Sequence, residues 1–280
     1  MKIGYTGWTW IVDEHNDWAP LSDKPKRDFE QFLREVSDLG YKTIENFDFT
    51  VNYFKDDEIS LVALCKKYSL EFANLYFYFT NDAQDDYEKA VRCIDFMKKT
   101  GARYMNIQCV MWKDAPLERP FNRDAVLDYA KRCNQIGEMC TKNDIKLCMH
   151  PHACTNIYTE EEIDLFLENT DPNFVYLCLD TAHVTLAGMD VIKEIEKVGK
   201  RIGYMHLKDL DPDVTVNPEW PLKRFCPLGY GIVDFKGVVK ALKKINYDGI
   251  LCVEVDYQPV CNYKTAMDCR NYIHSNLGLM

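Results

Sequence analysis

Long apolar runs are missing from this chain. No window approaches the roughly 18 uninterrupted apolar residues of a membrane span. The opening Met1-Lys2-Ile3-Gly4-Tyr5-Thr6-Gly7-Trp8 lacks the apolar stretch of a signal peptide. No membrane partner is expected, and a cytoplasmic location is. Clustered lysine and arginine are missing too. With 34 basic against 44 acidic residues the formal charge is -10, so the chain has little with which to displace phosphate counterions, and nucleic acid is not an expected partner. No GxGxxG turn follows the first β-rich run and no glycine-rich cradle appears elsewhere, so neither a dinucleotide nor a phosphorylated substrate is demanded. None of the 12 cysteines forms a CxxC pair. In a chain of this length without an export signal they are expected as reduced, buried small hydrophobes, as Cys148, Cys178 and Cys252 in their short apolar runs suggest. A linker rich in proline, glycine or serine is also absent, which leaves one domain over residues 1–280.

What is present is a core and an alternation. Apolar residues make up 47 % of the 280 residues and aromatics 13 %, enough for a large core and too much for a disordered chain. Short β-rich runs are expected at 2–6, 42–46, 71–76, 104–108, 146–149, 175–179, 202–205 and 250–253. Amphipathic helical runs start near Lys26, Asp57, Asp85, Asp124, Glu160, Asp190, Asp234 and Tyr263. Thr159 with Glu162 reads as a capping box, and Gly40 and Gly101 read as helix stops before strands. Strands separated by helices imply βαβ units and a parallel sheet. Eight such units in this length predict an α/β fold, a single closed (β/α)8 TIM barrel, over a doubly wound sheet. The long connections at 8–24, 109–123 and 209–230 are then loops of the catalytic face.

A barrel draws its chemistry from the carboxyl ends of its strands. Four of the six histidines lie there: in His150-Pro151-His152 after strand five, Asp180-Thr181-Ala182-His183 after strand six, and His206-Leu207-Lys208-Asp209 after strand seven. Strand eight ends Glu254-Val255-Asp256. Residues i and i+2 share a face of a strand, so His150 with His152, and His206 with Lys208, are expected to point inward together. His150, Asp180, His206 and Glu254 offer two imidazoles and two carboxylates, a shell for one divalent ion with open positions for substrate. Mixed nitrogen and oxygen donors leave Mn2+, Co2+, Fe2+ and Zn2+ all open.

In their order and spacing these residues resemble the sugar phosphate isomerase/epimerase superfamily, the xylose isomerase-like barrels. The resemblance runs over nearly the whole length, through Asp-x-x-His, His-x-Lys-Asp and Val-Glu-x-Asp at strand ends six to eight, and through Gly229-Tyr230-Gly231 before the seventh helix. His150-Pro151-His152 followed by Thr155 is similar to the inosose dehydratases. Lys208-Asp209 is similar to that branch and to lyases acting on 3-keto-glycosides. The resemblance implies a keto-sugar or cyclitol substrate, Mn2+ as the ion and a homodimer or homotetramer. It also exposes a departure: many epimerases of this fold place at the end of strand five a glutamate that binds the metal and moves a proton, where this chain has His150.

A divalent ion holding a ketone and its neighbouring hydroxyl stabilises the enediolate left when the α-proton departs. Expulsion of a β-oxygen then gives elimination, whereas return of the proton elsewhere gives isomerisation or epimerisation. Epimerisation needs matched groups on both faces of the carbon, and elimination needs one base and one acid. With the second glutamate lost, a dehydratase or related lyase is expected over an epimerase. His152 is the expected base, because imidazole titrates near neutrality. Glu254 remains the other acid/base position of the family. His183 is either an acid/base or a partner of Asp180, and Lys208 either holds or protonates a substrate oxygen or pairs with Asp209 on the surface. Glu45, Asn74 and Gln108 near strand ends are candidates for sugar hydroxyls. Trp8, Trp10 and Trp112 either stack on a sugar ring or pack on the rim. Arg224 resembles a sugar-contacting arginine of some epimerases, with a salt bridge as its structural alternative. Two further classes are an abasic-site endonuclease, which wants several metals and a basic face, and a metal-free sugar-binding barrel.

Overall fold

The computed structural model describes residues 1–13, 19–20, 25–112, 119–215, 221–256 and 260–280. Eight parallel strands close on themselves: β1 (Lys2–Thr6), β2 (Thr43–Phe47), β3 (Glu71–Tyr78), β4 (Tyr104–Gln108), β5 (Lys146–Met149), β6 (Val175–Asp180), β7 (Ile202–Leu207) and β8 (Ile250–Val253). Each neighbours the next in sequence, and β8 closes on β1 through Lys2–Ile250 to Tyr5–Val253. The main outer helices are α1 (Pro25–Asp38), α2 (Glu58–Lys67), α3 (Ala83–Thr100), α4 (Arg123–Thr141), α5 (Glu160–Glu168), α6 (Val191–Val198), α7 (Phe235–Lys244) and α8 (Asn262–Tyr272). The expected (β/α)8 barrel is the fold.

Helix starts follow local chemistry. Asp190 caps α6 by accepting from the amides of Ile192 and Lys193, and Asp234 caps α7 through Gly237. Glu162 accepts from Thr159 N at 2.9 Å, the reciprocal half of the capping box on α5. Helix α3 begins earlier than expected because Asp82, not a residue near Asp85, accepts from Gln84 N and Asp85 N. It stops at Gly101, whose φ of 85° lets its amide close back on Met97 O.

Period-two alternation divides the strand residues between two cores. Leu147, Leu177, Met205 and Leu251 join the large cluster under the helices, whereas Cys148, Cys178, Tyr204 and Cys252 form a separate cluster inside the barrel. The inner thiols are buried, and burial pushes the Cys178 thiol up to about 12. Two bulges modify the ladder. One lies between β2 and β3 at Ile44/Glu45, the other between β6 and β7 at Leu177/Cys178. The second leaves room only for glycine: a Cβ on Gly203 would stand 2.6 Å from Cys148 Sγ and 2.8 Å from Tyr176 Cβ.

The described part of the long connection after β7 contains a two-stranded ribbon, Asp209–Leu210 against Phe225–Cys226. Asp209 is buried there. Its two carboxylate oxygens accept from the amides of Leu210, Gly229, Gly231 and Val233 at 2.9–3.0 Å. That carboxylate therefore ties the Gly-x-Gly segment to the end of β7 and forms no surface pair with Lys208. Among the described residues no helix is long and apolar enough to cross a membrane.

Candidate active site

The inward row of each of four consecutive strands continues, two residues beyond Cys148, Cys178, Tyr204 and Cys252, into His150, Asp180, His206 and Glu254. One donor atom from each of the four lies within 4.8 Å of the others, and all four side chains are buried. His150 Nε2 is 3.8 Å and His206 Nδ1 3.9 Å from Asp180 Oδ2, and His206 Nδ1 is 2.9 Å from Glu254 Oε2. Asp180 divides its labour. Its Oδ1 accepts from Ala182 N at 2.7 Å and His183 N at 2.9 Å, capping the short helix Thr181–Leu186, while Oδ2 is left without a hydrogen-bond partner. His150 Nε2 is likewise buried without a hydrogen-bond partner, whereas Glu254 Oε2 is shared between His206 Nδ1 and Lys208 Nζ, each 2.9 Å away. Four converging buried donor atoms, of types suited to a divalent cation, with His150 Nε2 and Asp180 Oδ2 left without hydrogen-bond partners, fit a metal centre, because a buried polar atom with no partner is costly.

Charge around the cluster follows from burial and pairing. Burial acts to raise the Glu254 and Asp180 pKa values, but Lys208, with His206 beside Glu254 and His150 beside Asp180, outweighs it and holds both carboxyls below their usual range. Burial, reinforced by His206 and opposed by Asp180, lowers His150. For His206 burial also acts downward, yet Cys178, Glu45 and Glu254 prevail and hold it well above the ordinary value. Lys208 is fully enclosed, with Nζ 2.9 Å from both Glu254 and Asp256 and 3.6 Å from Asp180. It points inward with His206 while its neighbour Asp209 points outward, as strand geometry requires.

His152 and His183 flank the cluster with ring centroids 3.9 Å apart. Their backbone partners fix which nitrogen carries the proton. His152 Nδ1 lies 2.6 Å from the Ala153 carbonyl and must donate to it, leaving the Nε2 lone pair free. His183 Nδ1 accepts from Ala153 N at 3.2 Å, so its proton is on Nε2, which is buried without a partner. Burial, reinforced by His150 and Lys208, lowers the His152 pKa to about 3. The expected titration near neutrality is therefore absent in this environment: His152 is neutral across the physiological range.

The candidate sugar contacts divide. Gln108 accepts from Tyr76 at 2.6 Å, and the Tyr76 ring stacks on His206 and meets His150 edge-on. Glu45 and Asn74 are fully buried beside each other in the ladder, and Glu45 lies against His206. Trp8 packs edge-on against Phe47, and Trp10 is buried against Tyr5 and Phe32. Trp112 lies beneath the Arg119 guanidinium at 4.6 Å. Arg224 is bound to the Asp211 carbonyl through Nε and Nη2 and braces the ribbon. Three groups at the site carried no expectation from sequence: Tyr76, Asp256 as the partner of Lys208, and Phe225, whose ring lies 4.7 Å from that of His183 and 4.8 Å from Lys208 Nζ. Asp256 was legible as the end of Val-Glu-x-Asp. Phe225 sits in the two-residue second strand of the ribbon, too short for periodicity to mark it.

The fold has counterparts. The chain is 29 % identical, over 301 aligned positions covering 100 % of it and 98 % of the relative, to an inosose dehydratase of Clostridium tetani. Among solved structures it superposes on the probable 3-DHS dehydratase AsbF of Bacillus anthracis with a TM-score of 0.78 at 14 % identity, covering 99 % of this chain and 100 % of that one. It superposes on the IOLI protein, solved with a bound zinc atom, with a TM-score of 0.75 at 16 % identity, covering 98 % and 97 %. A family model described as xylose isomerase-like TIM barrel matches residues 33–272. The chain belongs to the xylose isomerase-like TIM barrel family.

Proposed function

We propose that this chain is a divalent-metal-dependent dehydratase that removes water from a keto-polyol or keto-sugar of the inosose class. Full-length similarity to inosose dehydratases supports the assignment to enzymes and to the lyases among them. The observation that carries the reading is the set of four converging buried donors with a neutral, fixed-tautomer imidazole pair beside it. His150, Asp180, His206 and Glu254 would hold the cation, with Mn2+ favoured by family resemblance over Co2+, Fe2+ or Zn2+. When bound, the ion supplies positive charge to the oxygens of a ketone and its neighbouring hydroxyl, which makes the α-proton acidic.

The side chains account for the rest. His152 Nε2 takes the α-proton; its lone pair is free at neutral pH because nothing protonates it there. The C–H electrons form the double bond as the β C–O bond breaks. The departing oxygen takes the proton now on His152 Nε2 and leaves as water, so one substrate yields one enone and one water and the imidazole returns to its neutral form. Lys208 is a poor acid, since burial is outweighed by Asp256, Glu254 and Asp180 and its pKa is driven up. It fits the task of holding a substrate oxygen and balancing the carboxylates. Glu254, ion-paired to Lys208 and facing His206, is a ligand and carries no second proton relay.

The test is direct. Purified protein with Mn2+ is offered scyllo-inosose and then free ketohexoses. Ultraviolet absorbance of a conjugated enone, with no epimer, supports elimination; an epimer formed without loss of water overturns it in favour of an epimerase.

A further inference from the structure

Behind His206, on the side away from the four donors, lies a second carboxylate that the proposed reaction does not use. Glu45 is fully buried. Its Oε2 is 3.0 Å from His206 Nε2 and accepts from Asn106 Nδ2 at 2.8 Å. The ring therefore has a carboxylate at each nitrogen: Glu254 Oε2 at Nδ1 and Glu45 Oε2 at Nε2. The two differ in geometry. Glu45 lies in hydrogen-bonding position at Nε2, whereas on the Nδ1 side Glu254 Oε2, 2.9 Å away, is shared with Lys208 Nζ at the same distance and belongs to the donor cluster. The Nε2 side is a hydrogen bond, and the Nδ1 side faces Asp180 and Glu254, the two carboxylates of the donor cluster.

The backbone builds this arrangement. The bulge opposite Ile44/Glu45 shifts the register so that Glu45 pairs with Asn74 in place of Ala73, and a bulge re-aims a side chain. Asn106, inward on the next strand, shares Glu45 Oε2 with the imidazole and also stands 3.4 Å from its Nε2. Tyr76 stacks on the same ring at 6.1 Å and 11°. A ring held on its face by Tyr76 and at its rear nitrogen by Glu45 has one orientation.

We infer that Glu45, steadied by Asn106, is a positioning residue for His206: it takes the Nε2–H, fixes the tautomer, and so presents the Nδ1 lone pair to the cation. This rests on the metal reading above and removes Glu45 from the surface that meets sugar hydroxyls. Partners behind a ligating imidazole raise ligand basicity, and their loss costs about 10- to 100-fold in metal affinity.

The experiment is calorimetric titration of the chelator-treated full chain with Mn2+, comparing wild type, Glu45→Gln, Glu45→Ala and Asn106→Ala, with thermal midpoints measured alongside. Glu45→Gln keeps an acceptor and drops the charge, and should weaken binding about 10-fold; Glu45→Ala drops both and should approach 100-fold. Asn106→Ala should lose less than either. In the zinc-loaded wild type, imidazole nitrogen NMR should show one ligand bound through Nδ1 with its proton on Nε2. Wild-type binding with unchanged affinity in both Glu45 variants overturns the inference and leaves the metal reading intact, as does a raised KM at unchanged metal affinity, which would return Glu45 to substrate contact. Wild type that takes up no Mn2+ overturns both. If Glu45→Ala does not fold, Glu45→Gln and the tautomer measurement decide.

Discussion

Single side chains at this site have separable jobs. His152→Ala should lower turnover by about 10²–10⁴-fold, the usual worth of a general base, while Mn2+ titration stays near wild type. His150→Ala should do the reverse, with a loss of metal affinity greater than the roughly 10- to 100-fold cost of altering a group behind a ligand. Collapse of metal binding in the His152 variant would mean the two roles are exchanged. Lys208→Met leaves Glu254 and Asp256 facing each other without their shared cation. It should cost about 3–5 kcal/mol in the metal-free protein, read as a lower urea midpoint, and added Mn2+ should restore part of it by neutralising Glu254. Residue identity at strand ends was legible because apolar runs stop abruptly at His150, Asp180, His206 and Glu254. The partner of each was not: Lys208 lies beside Asp209 in sequence, yet alternation sends the two to opposite faces, and only packing shows Asp256 to be its mate.

At the scale of elements, the ribbon after β7 holds Phe225 over His183 and Lys208. Asp209 is what secures it. Asp209→Asn replaces one accepting oxygen by a donor and leaves two of the four part-buried or buried backbone amides without their acceptor, at about 1 kcal/mol each. The expected result is a lower thermal midpoint together with a higher KM, because Phe225 loses its fixed position; an unchanged KM would detach the ribbon from substrate binding. Helix boundaries were legible where a short polar side chain precedes an amphipathic run, as at Thr159, Asp190 and Asp234. Strand ends were less so. Strands β3, β6 and β7 run on to Tyr78, Asp180 and Leu207, one or two residues past the hydrophobic runs that announce them. Polar residues such as Asp180 continue the ladder because the neighbouring strand supplies the hydrogen bonds.

For the whole molecule, pH is the lever. His150, His152 and His183 are all held low by burial, His152 to about 3. Below about pH 6.5 the unfolded chain binds protons at these positions that the native state refuses, so stability falls as pH falls, by up to about 1.4 kcal/mol per pH unit for each. Asp256 works against this. Burial, opposed by Lys208 and reinforced by Glu254, raises it to about 6, so between about pH 6 and 4 the native state binds a proton the unfolded chain does not, offsetting one histidine. His206 is raised, and its contribution is present below about pH 6.5 and is lost as pH rises through its native value. The metal-free protein should therefore be most stable near pH 6.5. Urea midpoints from pH 5 to 9 check this, and His152→Gln should flatten the acid limb by one proton. A flat profile would mean that water reaches these rings.

Hydrophobic period, caps and glycine stops are local properties, and with them the chain itself determined eight βα units, their order and which residues stand at the barrel mouth. Parallel strands joined by helices of this length have few ways to close, so fold followed from pattern. What the tertiary structure alone decided is aim. The bulges at Glu45 and Cys178, the carbonyl that orients His152 and the amide that orients His183 depend on strands and loops far apart in sequence. Burial, likewise a property of the closed barrel, moved His152 from near-neutral titration to about 3. Residue type names a donor; direction and dielectric, which set its chemistry, come from neighbours that no local stretch of sequence contains.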